Sequence, residues 1–181
     1  MFSGPSGSGK HSIIAELLKR DPNLVLSVSA TTRTPRAGEQ HGKDYYFLSH
    51  EDFMRRVQNN EFVEYAHVHG HLYGTLRSEL SRHVETGKDV ILQVDVQGMR
   101  GLKNAGLDAV TVFIVPPSLE ELRKRLDKRG TESEEHLALR LANAQREMQA
   151  QNDYDYVVVN DILNKAVDEA HRIIRDIRDD S

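Results

Sequence analysis

From Ser12 to Arg20 the apolar residues fall at Ile13, Ile14, Leu17 and Leu18, the spacing of a helix that buries one side, and Asp21-Pro22-Asn23 predicts its end. Ahead of it only Met1-Phe2-Ser3 remains for a strand, where about five or six residues are usual. Either that strand begins upstream or the fold accepts a stub. Leu24 to Ser29 predicts a short strand, and Thr31 to Glu39, with no apolar residue larger than alanine and both Pro35 and Gly38, a loop. Tyr45 to Leu48 predicts a strand, Ser49 with Asp52 a helix start, and Glu61 to Val68 another strand, with Gly70 and Gly74 as punctuation.

Further on, Leu76 to Val84 predicts a helix ending before Gly87. Asp89 to Asp95 is mainly an apolar run closed by a carboxylate, which suits a buried parallel strand delivering Asp95 to its C-terminal edge, where open α/β sheets bind ligands. Val110 to Val115 is a second buried strand, closed by Pro116-Pro117. Ser118 then caps a helix carrying Leu119, Leu122 and Leu126 among basic residues. Gly130 to Glu135 breaks that helix, and Thr131 with Glu134 forms a capping box for the next. There Leu137, Leu141, Ala144 and Met148 make the apolar stripe, and Arg140 lies off it. Tyr156 to Val159 is a last strand, and Ile162 to Ile177 a last amphipathic helix. Strands alternating with helices predict an α/β fold with a parallel sheet flanked by helices.

Composition narrows this picture. With 181 residues, 38% of them hydrophobic, the chain can bury one sizeable core, or one core with small appended lobes. It has no cysteine, which excludes disulfides and thiolate metal sites. No apolar run approaches a membrane span and no signal-peptide pattern opens the sequence, so a cytoplasmic protein is expected. A net charge of −4 argues against a general nucleic-acid binder, so any basic site must be a local concentration of arginines.

The chemistry begins at Gly4-Pro5-Ser6-Gly7-Ser8-Gly9-Lys10-His11-Ser12. Its glycines permit a tight ring of inward N–H groups, the helix after Lys10 adds its positive end, and Lys10 supplies a point charge for terminal phosphates. The spacing is that of a P-loop, except that His11 stands where Ser or Thr would ligate Mg²⁺. Arg33 and Arg36, three apart on a polar loop, are an anion-binding pair or solvated charge. His67, His69 and His71 would share a face on one unbroken strand. A turn at Gly70 separates them, and they are taken as surface histidines.

Several motifs stand in order: the Gly4 to Lys10 loop, Ser27-Val28-Ser29, Thr31-Thr32-Arg33-x-Pro35-Arg36-x-Gly38-Glu39, Gly42-Lys43-Asp44-Tyr45 and Phe62-Val63-Glu64. They continue with Tyr73-Gly74-Thr75, Val94-Asp95-Val96-Gln97-Gly98, Pro116-Pro117-Ser118, Arg129-Gly130-Thr131-Glu132 and Val159-Asn160-Asp161. Together they resemble guanylate kinase across essentially the whole chain. The resemblance implies a P-loop kinase core (1–29, 76–117, 148–181), a GMP-binding lobe (30–75) and a helical lid (118–147) that folds over the reaction. It implies ATP and GMP as substrates and Mg²⁺ with ATP, and is silent on oligomeric state. By the same resemblance, residues 4 to 12 and Asn160 bind ATP, and Arg33, Arg36, Tyr45 and Tyr73 hold the GMP phosphate. Ser29, Glu64 and Thr75 read guanine, and Asp95 lies near GMP and Mg²⁺.

Lys10, Arg125, Arg129 and Arg140 would neutralise the transferring group. Glu64 suits guanine because a carboxylate accepts from N1–H and N2–H₂ together, whereas adenine offers a bare N1 acceptor. Two departures concern the metal: His11, which leaves the hydroxyl to Ser12, and Gln93, where the family usually has an acid. Competing expectations are a non-catalytic scaffold module that binds phosphorylated peptides and a kinase of phosphorylated sugars. Lys10 with its glycines disfavours the first, and the Ser29, Glu64 and Thr75 set disfavours the second.

Overall fold

Phe113 and Ile114, central in the apolar run before Pro116, are fully buried, as a strand covered on both faces requires. The computed structural model describes residues 1–68, 70–127 and 134–179. In chain order its first half contains β1 (Phe2–Ser3), α1 (Lys10–Arg20), β2 (Leu24–Leu26), β3 (Ala30–Thr31), β4 (Tyr46–Phe47), α2 (His50–Gln58), β5 (Phe62–Val68) and β6 (His71–Leu76). There follow α3 (Arg77–Val84), β7 (Asp89–Ile91), α4 (Val96–Asn104), β8 (Val112–Val115), α5 (Leu119–Asp127), α6 (Glu134–Met148), β9 (Tyr156–Val159) and α7 (Leu163–Asp179). These elements fall into two compact units, Met1–Pro22 with Val110–Ser181, and Asn23–Ala109.

In the first unit β1, β8 and β9 form a parallel sheet in that order, with Phe2 opposite Val112 and Val112 opposite Tyr156. Helix α7 packs on α1 through the stripe Ala166, Val167, Ala170 and Ile173, while α1 buries Ile13, Ile14 and Leu17. Their far ends are tied by Asp21, which caps α1 and accepts from Arg178 Nη1 at 2.7 Å and lies 3.3 Å from His171 Nε2. The charged helix α5 is held by Leu122 and Leu126, buried against Leu137 and Ala144 of α6. At about 1.5–3 kcal/mol per buried leucine, that contact outweighs its exposed ion pairs.

The second unit contains the parallel pair β2 and β7 and a four-stranded sheet in the order β4, β3, β6, β5. On one face of the larger sheet Phe53 of α2 stacks on Phe62 at 4.4 Å, with Ala30, Leu72 and Leu76 completing the cluster. Alternation along β6 turns Tyr73 and Thr75 to the other face, and a register shift in β5 between Phe62 and Glu64 sets Glu64 opposite Thr75.

The structure revises several expected elements. The strand expected over Leu24 to Ser29 stops at Leu26, and Ala30–Thr31 joins the larger sheet instead, pairing with Gly74 and Tyr73. Gly74 makes no turn: it lies inside β6, where a Cβ would come within 2.8 Å of Phe62 Cδ1 and 2.9 Å of the Glu64 carbonyl. Its lack of a side chain serves close packing rather than chain reversal. Strand β7 ends at Ile91, and Asp95 caps α4 through a 2.8 Å bond from the Gly98 N–H to Oδ1. That helix has no counterpart among the expected elements. Helix α1 begins at Lys10 rather than Ser12 because Gly9, at φ 86°, turns the loop directly into it. The capping box expected at Thr131 lies outside the described residues.

Candidate active site

The loop before α1 is built for an anion. Gly4, Gly7 and Gly9 all have positive φ, and the Ser8 N–H donates to the Pro5 carbonyl at 3.1 Å. Gly9 provides no side-chain cap and the first turn of α1 holds no acid, so its N-terminal dipole is not neutralised by its own residues. Lys10 Nζ donates to the Gly4 carbonyl at 3.0 Å and so lies folded across the loop. His11 and Ser12 are exposed. Arg140, on α6, donates from Nη2 to Ser6 Oγ at 2.8 Å, which brings this cation to the loop. Arg125 is held on α5 by Glu121 at 3.2 Å, and Arg129 lies outside the described residues.

Asn160 meets the same loop from the other side. It is buried, and Nδ2 donates to the Ser8 carbonyl at 2.8 Å. A Cβ on Gly9 would stand 2.1 Å from that nitrogen. The side chain thus braces the back of the loop, and only glycine lets it approach so closely.

In the second unit the polar face of the β4–β3–β6–β5 sheet gathers a cationic and aromatic cluster. The Arg33 guanidinium lies 5.5 Å from the Tyr45 ring centre and 5.7 Å from that of Phe47, and the Tyr45 and Tyr73 rings are 6.0 Å apart. Glu39 holds Arg33 Nη2 at 2.8 Å, and Nη1 donates to the Thr34 carbonyl at 2.7 Å. The Glu39 carboxylate, opposed by partial burial, strengthens the guanidinium's hold on its proton, and the Tyr73 phenol adds to this. Burial pushes the Tyr45 hydroxyl above its ordinary range, aided by Tyr73, so it stays a donor at neutral pH. Arg36 is exposed, its backbone N–H bound to Glu39 Oε2 at 2.7 Å. Phe47 is absent from the sequence-derived candidates, yet alternation along Tyr45-Tyr46-Phe47 already places it on the face of Tyr45.

Beside this cluster, Thr75 is buried and its hydroxyl donates to Glu64 Oε1 at 2.9 Å. Helix α4 comes close enough that a Cβ on Gly101 would lie 3.7 Å from Glu64 Oε2. Burial raises the Glu64 carboxyl to about 7; the Thr75 hydroxyl opposes the rise and the Asp95 charge adds to it. The protein therefore pays to keep a nearly buried carboxylate where a ligand with adjacent N–H donors would stabilise its charge. Ser29 is half-buried, and its carbonyl accepts the Tyr46 N–H at 2.9 Å.

The histidines form no such constellation. His67 pairs with Leu72 and His71 with Val68, which puts the two on opposite faces of the hairpin, and His69 lies outside the described residues. No helix among the described residues is long and apolar enough to cross a membrane.

The sequence profile of the family described as guanylate kinase matches residues 1–177. The chain belongs to the guanylate kinase family. A guanylate kinase of Thermotoga maritima is 50% identical over 178 residues, covering 98% of this chain and 86% of that protein. One from Rhodopirellula baltica is 49% identical over 182 residues, covering 98% and 87%. The crystal structure of guanylate kinase from Anaplasma phagocytophilum aligns with a TM-score of 0.78 at 37% identity, over 96% of this chain and 82% of that one. As a guanylate kinase the protein is an ATP:GMP phosphotransferase, a nucleoside monophosphate kinase that yields ADP and GDP.

For a guanylate kinase the state of Glu64 predicts a pH signature. If Glu64 accepts the guanine N–H groups, its carboxyl, at about 7 in the free protein, must be ionised to take both. On that assignment GMP affinity would be complete above that pH and would fall as pH drops through it. The apparent GMP KM should rise about fourfold from pH 8 to 6.5. The nucleotide's own second phosphate ionisation lies lower, near 6, and Glu64→Gln should flatten the profile over this window. A flat profile in the unsubstituted enzyme would refute the assignment.

Proposed function

We propose that the loop at Gly4 to Ser12 takes the ATP phosphates and that the Arg33, Tyr45, Tyr73, Glu64 and Thr75 face takes GMP. A phosphate oxygen of GMP attacks the γ-phosphorus of ATP, a new P–O bond forms, and the bond to the β–γ bridging oxygen breaks with its electron pair leaving on ADP. The attacking oxygen is already anionic at neutral pH, so no general base is required, and positioning and charge neutralisation carry the reaction. Lys10, Arg125, Arg129 and Arg140 are the cations for the transferring group. Arg33 and Arg36, with the Tyr45 and Tyr73 hydroxyls, hold the dianionic phosphate of GMP.

Glu64, aided by Ser29, reads N1–H and N2–H₂. Thr75 orients it, and Asp95 stands close enough to raise its pKa. Asn160 acts from behind the ATP loop. The observation that carries this reading is the half-buried Glu64 paired with the buried Thr75 on the same sheet face as Tyr73. A coupled ADP-formation assay across GMP, dGMP, AMP and UMP tests it. ADP should form with GMP and dGMP, and equal rates with AMP would remove Glu64 from base recognition.

The division into a core (1–29, 76–117, 148–181), a GMP lobe (30–75) and a lid (118–147) is part of this proposal, as is a cytoplasmic site of action. So is Mg²⁺ with ATP. Among the described residues no three acidic or histidine side chains cluster for a metal, and the loop offers the exposed Ser12 hydroxyl and the His11 imidazole. This donor set fits a hard cation carried by nucleotide phosphates and water, with Ser12 contributing and Asp95 and Gln93 at most indirect. The ion would supply charge neutralisation at the phosphates. His11, a nitrogen ligand, suits it poorly. His11→Ser should lower the Mg²⁺ concentration for half-maximal rate by about threefold and leave the GMP KM unchanged. An unmoved Mg²⁺ requirement, or loss of activity, would show that the imidazole has another role.

A further inference from the structure

Glu79 has no place in the nucleotide assignments above, yet it is only 3% exposed and engaged on all sides. A buried carboxylate needs both charge compensation and hydrogen bonds. The charge comes from its own helix, α3, where Arg82 Nη2 lies 2.8 Å from Oε1, and His83 Nε2 stands 3.6 Å from Oε2. The other two donors come from distant parts of the unit. The Val28 N–H reaches Oε2 at 3.2 Å, and the Tyr46 hydroxyl reaches Oε1 at 2.7 Å. Burial, with Glu79 beside it, pushes the Tyr46 phenol above its ordinary range, so it remains a donor.

Those two donors flank GMP ligands. Val28 precedes Ser29, assigned to guanine, and Tyr46 follows Tyr45, assigned to the phosphate. The Tyr46 N–H also donates to the Ser29 carbonyl at 2.9 Å. A ring therefore closes from Glu79 to Val28, along the chain to Ser29, across to Tyr46 and back to Glu79. Helix α3 begins two residues after Thr75, which orients Glu64. One carboxylate thus joins the segment leading into β3, which carries the base-reading hydroxyl, the segment leading into β4, which carries the phosphate-binding phenol, and the helix behind Thr75.

We propose that Glu79 is a positioning residue for GMP, which sets the spacing between the Ser29 and Tyr45 contacts by accepting from Val28 N–H and Tyr46 hydroxyl at once. This rests on the assignment of Ser29 and Tyr45 to GMP. The side chain touches no substrate. Its removal costs the fit of base and phosphate together and leaves ATP binding and the transfer step intact once GMP is bound.

Steady-state kinetics of Glu79→Gln, Tyr46→Phe and the double variant, with thermal unfolding of each, test the proposal. Glu79→Gln keeps the shape but cannot accept from both donors while facing Arg82. It should raise the GMP KM about tenfold, with kcat and the ATP KM within about twofold. Tyr46→Phe removes a single hydroxyl and should raise the GMP KM about fivefold, and the double variant should be no worse than Glu79→Gln alone. If Glu79→Gln fails to fold, Tyr46→Phe decides the matter by itself. A lowered melting temperature with unchanged GMP KM would reduce Glu79 to a structural brace and overturn the proposal. Glu64→Gln, measured alongside, separates the two levels: if it raises the GMP KM while the Glu79 and Tyr46 variants do not, only the positioning role fails. If it too leaves the KM unchanged, the GMP pocket itself is misassigned.

Discussion

Lys10→Ala should lower kcat by about 10³-fold while changing the GMP KM by less than about threefold. Lys10 is the first residue of α1, and its ammonium rests on the Gly4 carbonyl at 3.0 Å. On the proposed assignment, ATP phosphates in the loop would replace that carbonyl as the better acceptor, because a charged oxygen binds an ammonium more strongly than a neutral one. The loop's backbone N–H groups beyond Pro5 and the start of α1 remain in the variant, so ATP should still bind, though more weakly. What is lost is the one point charge of the loop, and charge development on the transferring group is what the protein must stabilise. The Gly4 contact itself is worth about 1 kcal/mol, so the variant should fold. Single-turnover measurement at saturating ATP and GMP checks the prediction. Retention of more than a tenth of the rate would shift the burden from Lys10 to the arginines.

The loop and the last two elements, β9 and α7, were legible in the sequence because local rules alone determine them: glycine spacing in one case, unbroken periodicity in the others. The Glu64, Tyr73 and Thr75 contacts needed more. Their spacing of nine and two residues is uninformative until β5 and β6 pair, and the pairing hinges on reading Gly74 as a packing glycine against Phe62 rather than as a turn. Helix α4 escaped notice because its start is hidden in the run that also contains β7, and Asp95 reads equally well as a strand-end ligand or a helix cap. Glu79 could not be found at all from periodicity. An acid in a helix with Arg82 three residues on reads as a solvated ion pair. Only the approach of Val28 and Tyr46 from elsewhere in the chain shows that it is buried.

Glu64→Gln should lose roughly 2–4 kcal/mol of transition-state stabilisation with GMP, about 30- to 1,000-fold in kcat/KM. In the unsubstituted protein at pH 8 both Glu64 oxygens can accept: Oε1 already takes the Thr75 hydroxyl and has a further lone pair, and Oε2 faces the α4 side near Gly101. Guanine presents two adjacent N–H donors to such a group. An amide has one oxygen and one NH₂, so one guanine donor must meet another donor or lose its partner. The neutral amide also escapes the burial and the Asp95 repulsion that raise the carboxyl to about 7. The variant should therefore unfold at the same or a higher temperature, and a kinetic loss cannot be ascribed to misfolding. The base preference should narrow as well, because the amide can donate to adenine N1, which the carboxylate repels. Comparing kcat/KM for GMP and AMP in both proteins tests each part. If GMP kinetics are unchanged, or the GMP to AMP ratio does not fall, Glu64 does not read the base.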